Sequence, residues 1–131
     1  MPATLDTNAL LRLALRDVPA QYDIVRDLVT AENAHFVVSD TAIAEVVHAL
    51  MHHYHFSREQ VVDIIEAILS EPAFTTSTRL ITVTLNQFLH QPKLSYTDCY
   101  LAEEAATSRN SPLLTFDKDL AKHHPAAQLL T

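Results

Sequence analysis

Four carboxylates in this chain lie at positions where an α/β protein places catalytic groups. They are Asp6 in the segment A-T-L-D-T-N, Glu45 in T-A-I-A-E-V-V, Asp98 in S-Y-T-D-C-Y-L-A and Asp117 in L-L-T-F-D-K-D-L. Like charges held a few ångströms apart repel each other by roughly 4 kcal/mol at an effective dielectric of about 20. If folding gathers these side chains, the cluster needs a cation, and carboxylate oxygens suit Mg²⁺ or Mn²⁺.

Asp6 and Asp117 each follow a short apolar run and precede a helical pattern. In a parallel α/β sheet, ligand sites form beyond the carboxyl ends of the strands. The alternative is that each acid caps the helix that follows it, which is a common role of aspartate. Thr115 is placed to support Asp117 by hydrogen bonding, although a buried threonine satisfied by backbone is an equal alternative.

Asp98 interrupts the apolar face of a predicted helix. At 100° per residue it falls beside Leu101, Ala102 and Ala105, which predicts an acid that points inward. The opposite side of the helix is polar and carries Glu103, Glu104, Thr107 and Ser108. The alternative is a capping box, in which Ser95 is the N-cap and Asp98 reaches back to a backbone N–H.

Glu45 gives the weakest signal of the four, because its helical face also holds Thr41, His48 and His52. A polar face of this kind ordinarily meets water. The position just after the second predicted strand nevertheless puts Glu45 at the same sheet edge as the other acids. His48 and His52 have the i, i+4 spacing of zinc ligands, but the H-E-x-x-H motif is absent, so an exposed helix face is the expectation.

The composition limits the class of protein. A chain of 131 residues that is 48% hydrophobic fits a single domain over residues 1–131. The absence of glycine excludes the phosphate-binding loops of dinucleotide and P-loop proteins. A net charge of −7 argues against a broad basic surface for nucleic acid, so any such contact must be local. The candidate basic residues are Arg12, Arg16, Lys93, Lys118 and Lys122.

The chain has no run of 18 or more apolar residues, and its first predicted strand begins at Ala3. We therefore expect neither a membrane span nor a signal peptide. The single cysteine, Cys99, cannot form an internal disulfide and suits a reducing compartment. A soluble cytoplasmic protein in which Cys99 is a small buried hydrophobe is the expectation.

Hydrophobic periodicity and helix-capping residues predict alternating strands and helices. The predicted strands are 3–5, 35–39, a short one near Phe74 and 113–116, and the predicted helices are 8–15, 20–31, one from about 40, 58–69, one from about 78, 96–109 and 117–123. Thr7 or Asn8 is the expected cap of the first helix. The pattern predicts an α/β fold with a central parallel sheet of four to five short strands and helices on both faces. The apolar stripe of helix 58–69 is wide enough to serve a partner as well.

The four acidic segments resemble, in the same order, those of PIN-domain proteins. The matching segments are L-D-T-N-A-L-L, A-E-V, T-D-C-Y-L-A-E-E-A and L-L-T-F-D-K-D-L, and the resemblance extends over essentially the whole chain. More specifically, the chain looks like the small VapC-type ribonuclease toxins of type II toxin–antitoxin pairs.

The resemblance implies a three-layer PIN-like fold and an acidic pocket whose catalytic and metal-binding residues are Asp6, Glu45, Asp98 and Asp117. The supporting polar residues it implies are Asn8, Thr115 and Asp119. The implied activity is a Mg²⁺- or Mn²⁺-dependent endoribonuclease that acts on RNA. The implied partners are a second copy of the chain in a homodimer and a cognate antitoxin in a higher assembly.

Two other functions are compatible with parts of the pattern. A receiver-like phosphoacceptor signalling domain also binds Mg²⁺ at strand ends, but such domains have adjacent acids after the first strand, whereas Asp6 is followed by Thr7 and Asn8. A catalytically silent PIN-like binding module would use the stripe within 61–69. The presence of all four acids argues against that reading.

Overall fold

A computed structural model describes residues 2–131, which form seven helices and five short strands. The chain divides into two compact units, of which the first ends at Ser77 and the second covers Thr78–Thr131. Every strand pair in either unit is parallel, which requires a crossover between paired strands. The predicted α/β class and the parallel pairing are therefore confirmed.

The first unit contains three strands and four helices. In chain order they are β1 (Ala3–Thr4), α1 (Thr7–Leu15), α2 (Pro19–Thr30), β2 (Phe36–Val37), α3 (Asp40–His52), α4 (Arg58–Leu69) and β3 (Phe74–Thr75). The strands pair in the order β1-β2-β3, with Ala3 opposite Phe36 and Phe36 opposite Phe74. Ile43, Leu50 and Ile65 are fully buried and form part of the core of this unit.

Helix starts in the first unit follow from residues that satisfy the free N–H groups of a first turn. Ser39 caps α3, and Ser57 caps α4 in a capping box with Gln60. Pro19 occupies the first turn of α2, where its missing N–H is not needed. Helix α1 was predicted correctly to within one residue, but its predicted cap, Thr7 or Asn8, was wrong, because the cap is Asp6.

The second unit contains three helices and two strands. They are α5 (Thr78–His90), α6 (Tyr96–Thr107), β4 (Leu113–Thr115), α7 (Lys118–His123) and β5 (Ala127–Leu129). The rings of Phe88 and Tyr96 meet edge to face with centroids 6.0 Å apart, which packs α5 against α6. Cys99 is fully buried, as expected for a small hydrophobe.

The strands form a sheet of three in the first unit and a sheet of two in the second. Strand β5 was not predicted, because its segment A-Q-L has no β-branched or aromatic residue and is too short to establish an alternating pattern. A single central sheet of four to five strands with helices on both faces stays a prediction. No helix within residues 2–131 is long and apolar enough to cross a membrane.

A chain without glycine must use other residues where the backbone turns left-handed. Within residues 2–131 these are Arg16, Asn33, His55 and Arg109, with φ of 55°, 58°, 57° and 59°. Arg16 is the C-cap of α1, a position where glycine is common. For residues with a Cβ this conformation costs roughly 1–2 kcal/mol each.

Candidate active site

Asp6 lies between β1 and α1 and caps that helix. Its Oδ1 accepts a hydrogen bond of 2.9 Å from the backbone N–H of Ala9. The capping alternative considered from the sequence is therefore correct for this residue. The bond uses one carboxylate oxygen of an exposed side chain, so capping α1 is compatible with binding a cation.

Glu45 is joined to the segment after Asp6 by a side-chain hydrogen bond. Thr7 Oγ1 donates to Glu45 Oε2 at 2.6 Å, across 38 positions of sequence. Thr7 begins α1 and Glu45 lies in the second turn of α3, so the packing of these two helices sets the contact. Thr7 was predicted only as a possible cap, and its bond to Glu45 depends on a tertiary contact that no local pattern reports.

The polar face of α3 continues beyond Glu45 with two histidines. The rings of His48 and His52 are 4.4 Å apart between centroids, and both side chains are exposed, as the sequence predicted. Asn8, an expected polar support, is also exposed in the first turn of α1.

Arg12, one of the expected basic contacts for nucleic acid, is engaged within the first unit. Its guanidinium lies 3.0 Å from both carboxylate oxygens of Asp17 and 3.2 Å from the hydroxyl of Tyr54. The hydrogen bond with Tyr54 and the nearby Asp17 charge raise the pKa of Arg12. Its charge is therefore largely used in tying the C-terminal part of α1 to the residues after α3.

A groove of about 360 Å³ also lies in the first unit, between side chains of α1, α2 and α4. Its lining is mainly apolar and includes Ile64 and Ile68 from the wide stripe of α4. Arg16 and Arg26 also line it, with their guanidinium carbons 4.9 Å and 5.5 Å from the ring centroid of Tyr22. The apolar stripe of α4 therefore contributes some side chains to the core and others to the wall of the groove.

Asp98 lies in the first turn of α6 and is half-buried. Ser95 Oγ accepts a hydrogen bond of 3.1 Å from the backbone N–H of Asp98, which confirms Ser95 as the N-cap. The buried stripe of the helix consists of Tyr96, Cys99, Ala102 and Ala105. Leu101 was wrongly placed on that stripe, since 43% of its surface is exposed.

Asp117 repeats in the second unit what Asp6 does in the first. Its Oδ1 accepts a hydrogen bond of 3.0 Å from the backbone N–H of Leu120, so it caps α7. Thr115 Oγ1 accepts a bond of 2.9 Å from the backbone N–H of Asp117. Thr115 therefore fixes the main chain at Asp117 rather than the carboxylate. Asp119 lies exposed in the first turn of α7.

A buried contact in the second unit was not predicted from the sequence. His124 is 3% exposed, and its Nε2 lies 2.8 Å from Glu103 Oε1. The N–H of Ala126 donates to His124 Nδ1 at 3.0 Å, so the ring proton is on Nε2 and is donated to Glu103. Glu103 had been assigned to the solvent side of its helix, and this bond explains why it is half-buried.

The carboxylates supply the donor chemistry that hard cations need. Among residues 2–131, no three His, Cys, Asp or Glu side chains are grouped so that they could hold a metal ion. Mg²⁺ keeps several of its waters and is usually held by one or two carboxylates together with substrate phosphates. Asp6 and Glu45, linked through Thr7, fit that requirement in the type of donor they offer.

The sequence matches the model of the PIN domain family over residues 3–124. The chain therefore belongs to the PIN domain family. PIN domains are generally metal-dependent nucleases that use Mg²⁺ or Mn²⁺. No curated protein matches the chain. Family membership removes the support for a phosphoacceptor receiver domain.

Proposed function

We propose that this PIN-domain protein is a Mg²⁺- or Mn²⁺-dependent endoribonuclease of the VapC type, the toxin of a type II toxin–antitoxin pair. The observation that carries the proposal is the family match, which extends over the four acidic segments in order. The proposal includes a single domain over residues 1–131. It also includes a common pocket for Asp6, Glu45, Asp98 and Asp117.

In this proposal, the residues of the chain bind the cation, position a carboxylate and orient the attacking water. The four acids hold the cation, while Thr7 keeps the Glu45 carboxylate in place through its 2.6 Å bond. When bound, Mg²⁺ or Mn²⁺ neutralises charge on the phosphoryl oxygens and activates water. Asp117 or Glu45 orients the attacking water, and the caps at Asp6 and Asp117 hold those acids on rigid helix starts.

RNA can approach an acidic chain under two conditions. A divalent cation reverses the local charge of the carboxylates, and exposed lysines contact the flanking phosphates. Lys118 and Lys122 are exposed on α7, directly after Asp117, and support this part of the proposal. Arg12 is a poor candidate for such a contact because Asp17 already neutralises it.

The proposed partners are a second copy of the chain and a cognate antitoxin that forms a higher assembly with the dimer. The groove of the first unit supports a protein partner, because apolar side chains such as Ile64 line it together with Arg16 and Arg26. Arg26 is already paired with Asp23 and Asp27, and Glu71 also lines the groove. The lining therefore favours an antitoxin segment that is mainly apolar and carries an acidic side chain opposite Arg16.

The proposal is tested by RNA cleavage with the purified chain, in Mg²⁺ and in a chelator. Asp6→Asn and Asp98→Asn should each lower the rate by about 100-fold or more, as expected when charge stabilisation of a transition state is lost. Asp63→Asn is the matched control, because Asp63 is an exposed acid on α4 outside the proposed pocket. Thermal unfolding gives a second measurement, since Mg²⁺ at ten times its Kd should stabilise the wild type by about 1.4 kcal/mol.

Cleavage that continues in chelator and survives both substitutions would overturn the metal-dependent mechanism. A folded wild-type chain that cleaves no RNA under any metal condition would instead favour the catalytically silent module. The Mg²⁺-dependent rise in Tm should disappear in Asp6→Asn and persist in Asp63→Asn.

A further inference from the structure

Phe116 stands out because a large aromatic ring is left in solvent next to a proposed catalytic acid. It is 79% exposed, the highest value among the large apolar side chains of residues 2–131. It immediately precedes Asp117, the N-cap of α7. Exposure of this degree means that the ring contributes little to the folding of its own unit. A single exposed apolar side chain is common, but Phe116 has exposed apolar neighbours.

The neighbours of Phe116 extend the exposed apolar surface. Leu114 lies two residues earlier, on β4, and is 54% exposed. Thr115 pairs with Leu129 on β5, and the next residue, Leu130, is 36% exposed and donates its N–H to Thr115 O at 2.7 Å. Leu114, Phe116 and Leu130 are called the β4–β5 patch below.

Two basic side chains follow Phe116 within six residues of the chain. Lys118 and Lys122 are exposed and lie one helical turn apart on α7. An exposed aromatic ring combined with nearby lysines is the composition of surfaces that bind single-stranded nucleic acid. In such surfaces bases stack on rings and cations contact the backbone.

We propose that Phe116 is a stacking platform for an unpaired base of the RNA substrate, next to the phosphate handled at Asp117. The inference rests on the proposed ribonuclease function and specifies its substrate, because a base held in a duplex has no free face to offer. A ring adjacent to a catalytic acid must remain open to substrate, which favours RNA over a second copy of the chain as its occupant.

The test compares Phe116 variants in the cleavage of a short single-stranded RNA. Phe116→Ala should lower kcat/KM by at least about fivefold, mainly through KM, as expected for the loss of one stacked base. Phe116→Tyr should keep the wild-type value, since it keeps the aromatic face. Phe116→Leu should behave like Phe116→Ala, since it keeps apolar surface without that face. Val83→Ala, at a 45% exposed apolar residue on α5 outside the β4–β5 patch, should cleave like the wild type.

A series of RNAs with one abasic nucleotide each locates the stacked base. One position should reduce kcat/KM in the wild type and have no further effect in Phe116→Ala, because both changes remove the same interaction. Additive losses at every position would overturn the stacking contact. Unchanged Tm values for all variants, measured in parallel, would show that each has folded.

The outcomes separate this inference from the function on which it rests. A wild type that cleaves, together with Phe116→Ala of unchanged kcat/KM, overturns the stacking role and leaves the ribonuclease in place. Wild-type activity in Phe116→Leu overturns it as well, since apolar contact would then suffice. If the wild type is a dimer and Phe116→Ala is a monomer, the ring contacts a second copy of the chain, and the stacking role is overturned. A wild type without activity on any RNA overturns both.

Discussion

Glu45 in the first unit and Asp117 in the second are held by different means. In the first, Glu45 is fixed by Thr7 across 38 residues of sequence, so its place depends on how α1 packs against α3. In the second, Asp117 is held by Thr115 and Leu120, which lie within three residues of it. One acid is therefore positioned by tertiary packing and the other by a local turn.

The difference indicates where each unit is vulnerable. A local cap survives as long as its own helix forms, whereas a contact between distant helices is lost when either helix shifts. The second unit also has long-range side-chain bonds, and the one between His124 and Glu103 is buried and involves none of the four acids. Substitutions should thus separate effects on chemistry in the first unit from effects on stability in the second.

The largest effect on stability is expected for His124→Ala, which removes the buried contact with Glu103 in the second unit. Removing the ring leaves Glu103 half-buried without its partner, and we expect a loss of about 3 kcal/mol in the free energy of unfolding. Urea denaturation measures it. His123→Ala is the control, because only the backbone oxygen of His123 is used, in a bond from Gln87. Equal losses in the two variants would contradict the role of the buried pair.

A smaller effect, on activity, is expected when the contact of the first unit is broken. Thr7→Val keeps the shape of the side chain and removes the hydroxyl that donates to Glu45. A hydrogen bond to a charged group contributes about 1.5 kcal/mol, so the cleavage rate at limiting Mg²⁺ should fall about tenfold. Thr7→Ser should retain most of the rate because it keeps the donor. If serine and valine variants lost the same activity, the hydroxyl would have no positioning role.

The smallest effect is expected at a turn. Arg109 follows α6 with φ of 59°, and Arg109→Gly should relieve the left-handed strain. Glycine also gives the unfolded chain more freedom, so the net gain in the free energy of unfolding should be only about 0.5 kcal/mol. Arg79→Gly, in the first turn of α5, should act in the opposite direction because glycine is a poorer helix former than arginine. Thermal unfolding of Arg109→Gly and Arg79→Gly measures both effects. A lower Tm in both variants would contradict the left-handed strain at Arg109.

Features set by neighbouring residues could be predicted from the sequence. Helix α4 has the predicted bounds, because Ser57 and Gln60 form a capping box and the apolar period is regular. The helix predicted from about Thr78 was also correct. Its segment 80–85, L-I-T-V-T-L, alternates between apolar and polar residues over most of its length and so resembles a strand. The polar face with His48 and His52 is exposed as expected.

Features set by distant residues could not be predicted in this way. The Thr7–Glu45 and Glu103–His124 bonds join elements whose approach depends on the packed structure. The error at Leu101 has a related cause, because helical spacing shows which residues share a face but not where the buried stripe is centred. The common pocket of the four acids stays a prediction for the same reason.

The shortness of the strands has a consequence for the behaviour of the protein at high concentration. Each described strand has two or three residues, so an outer strand offers a passing chain only a few unpaired backbone groups. Segments that stack into amyloid usually present six or seven residues with strong β-propensity. These sheets therefore lack the long exposed borders that other β-containing proteins must guard against edge-to-edge aggregation.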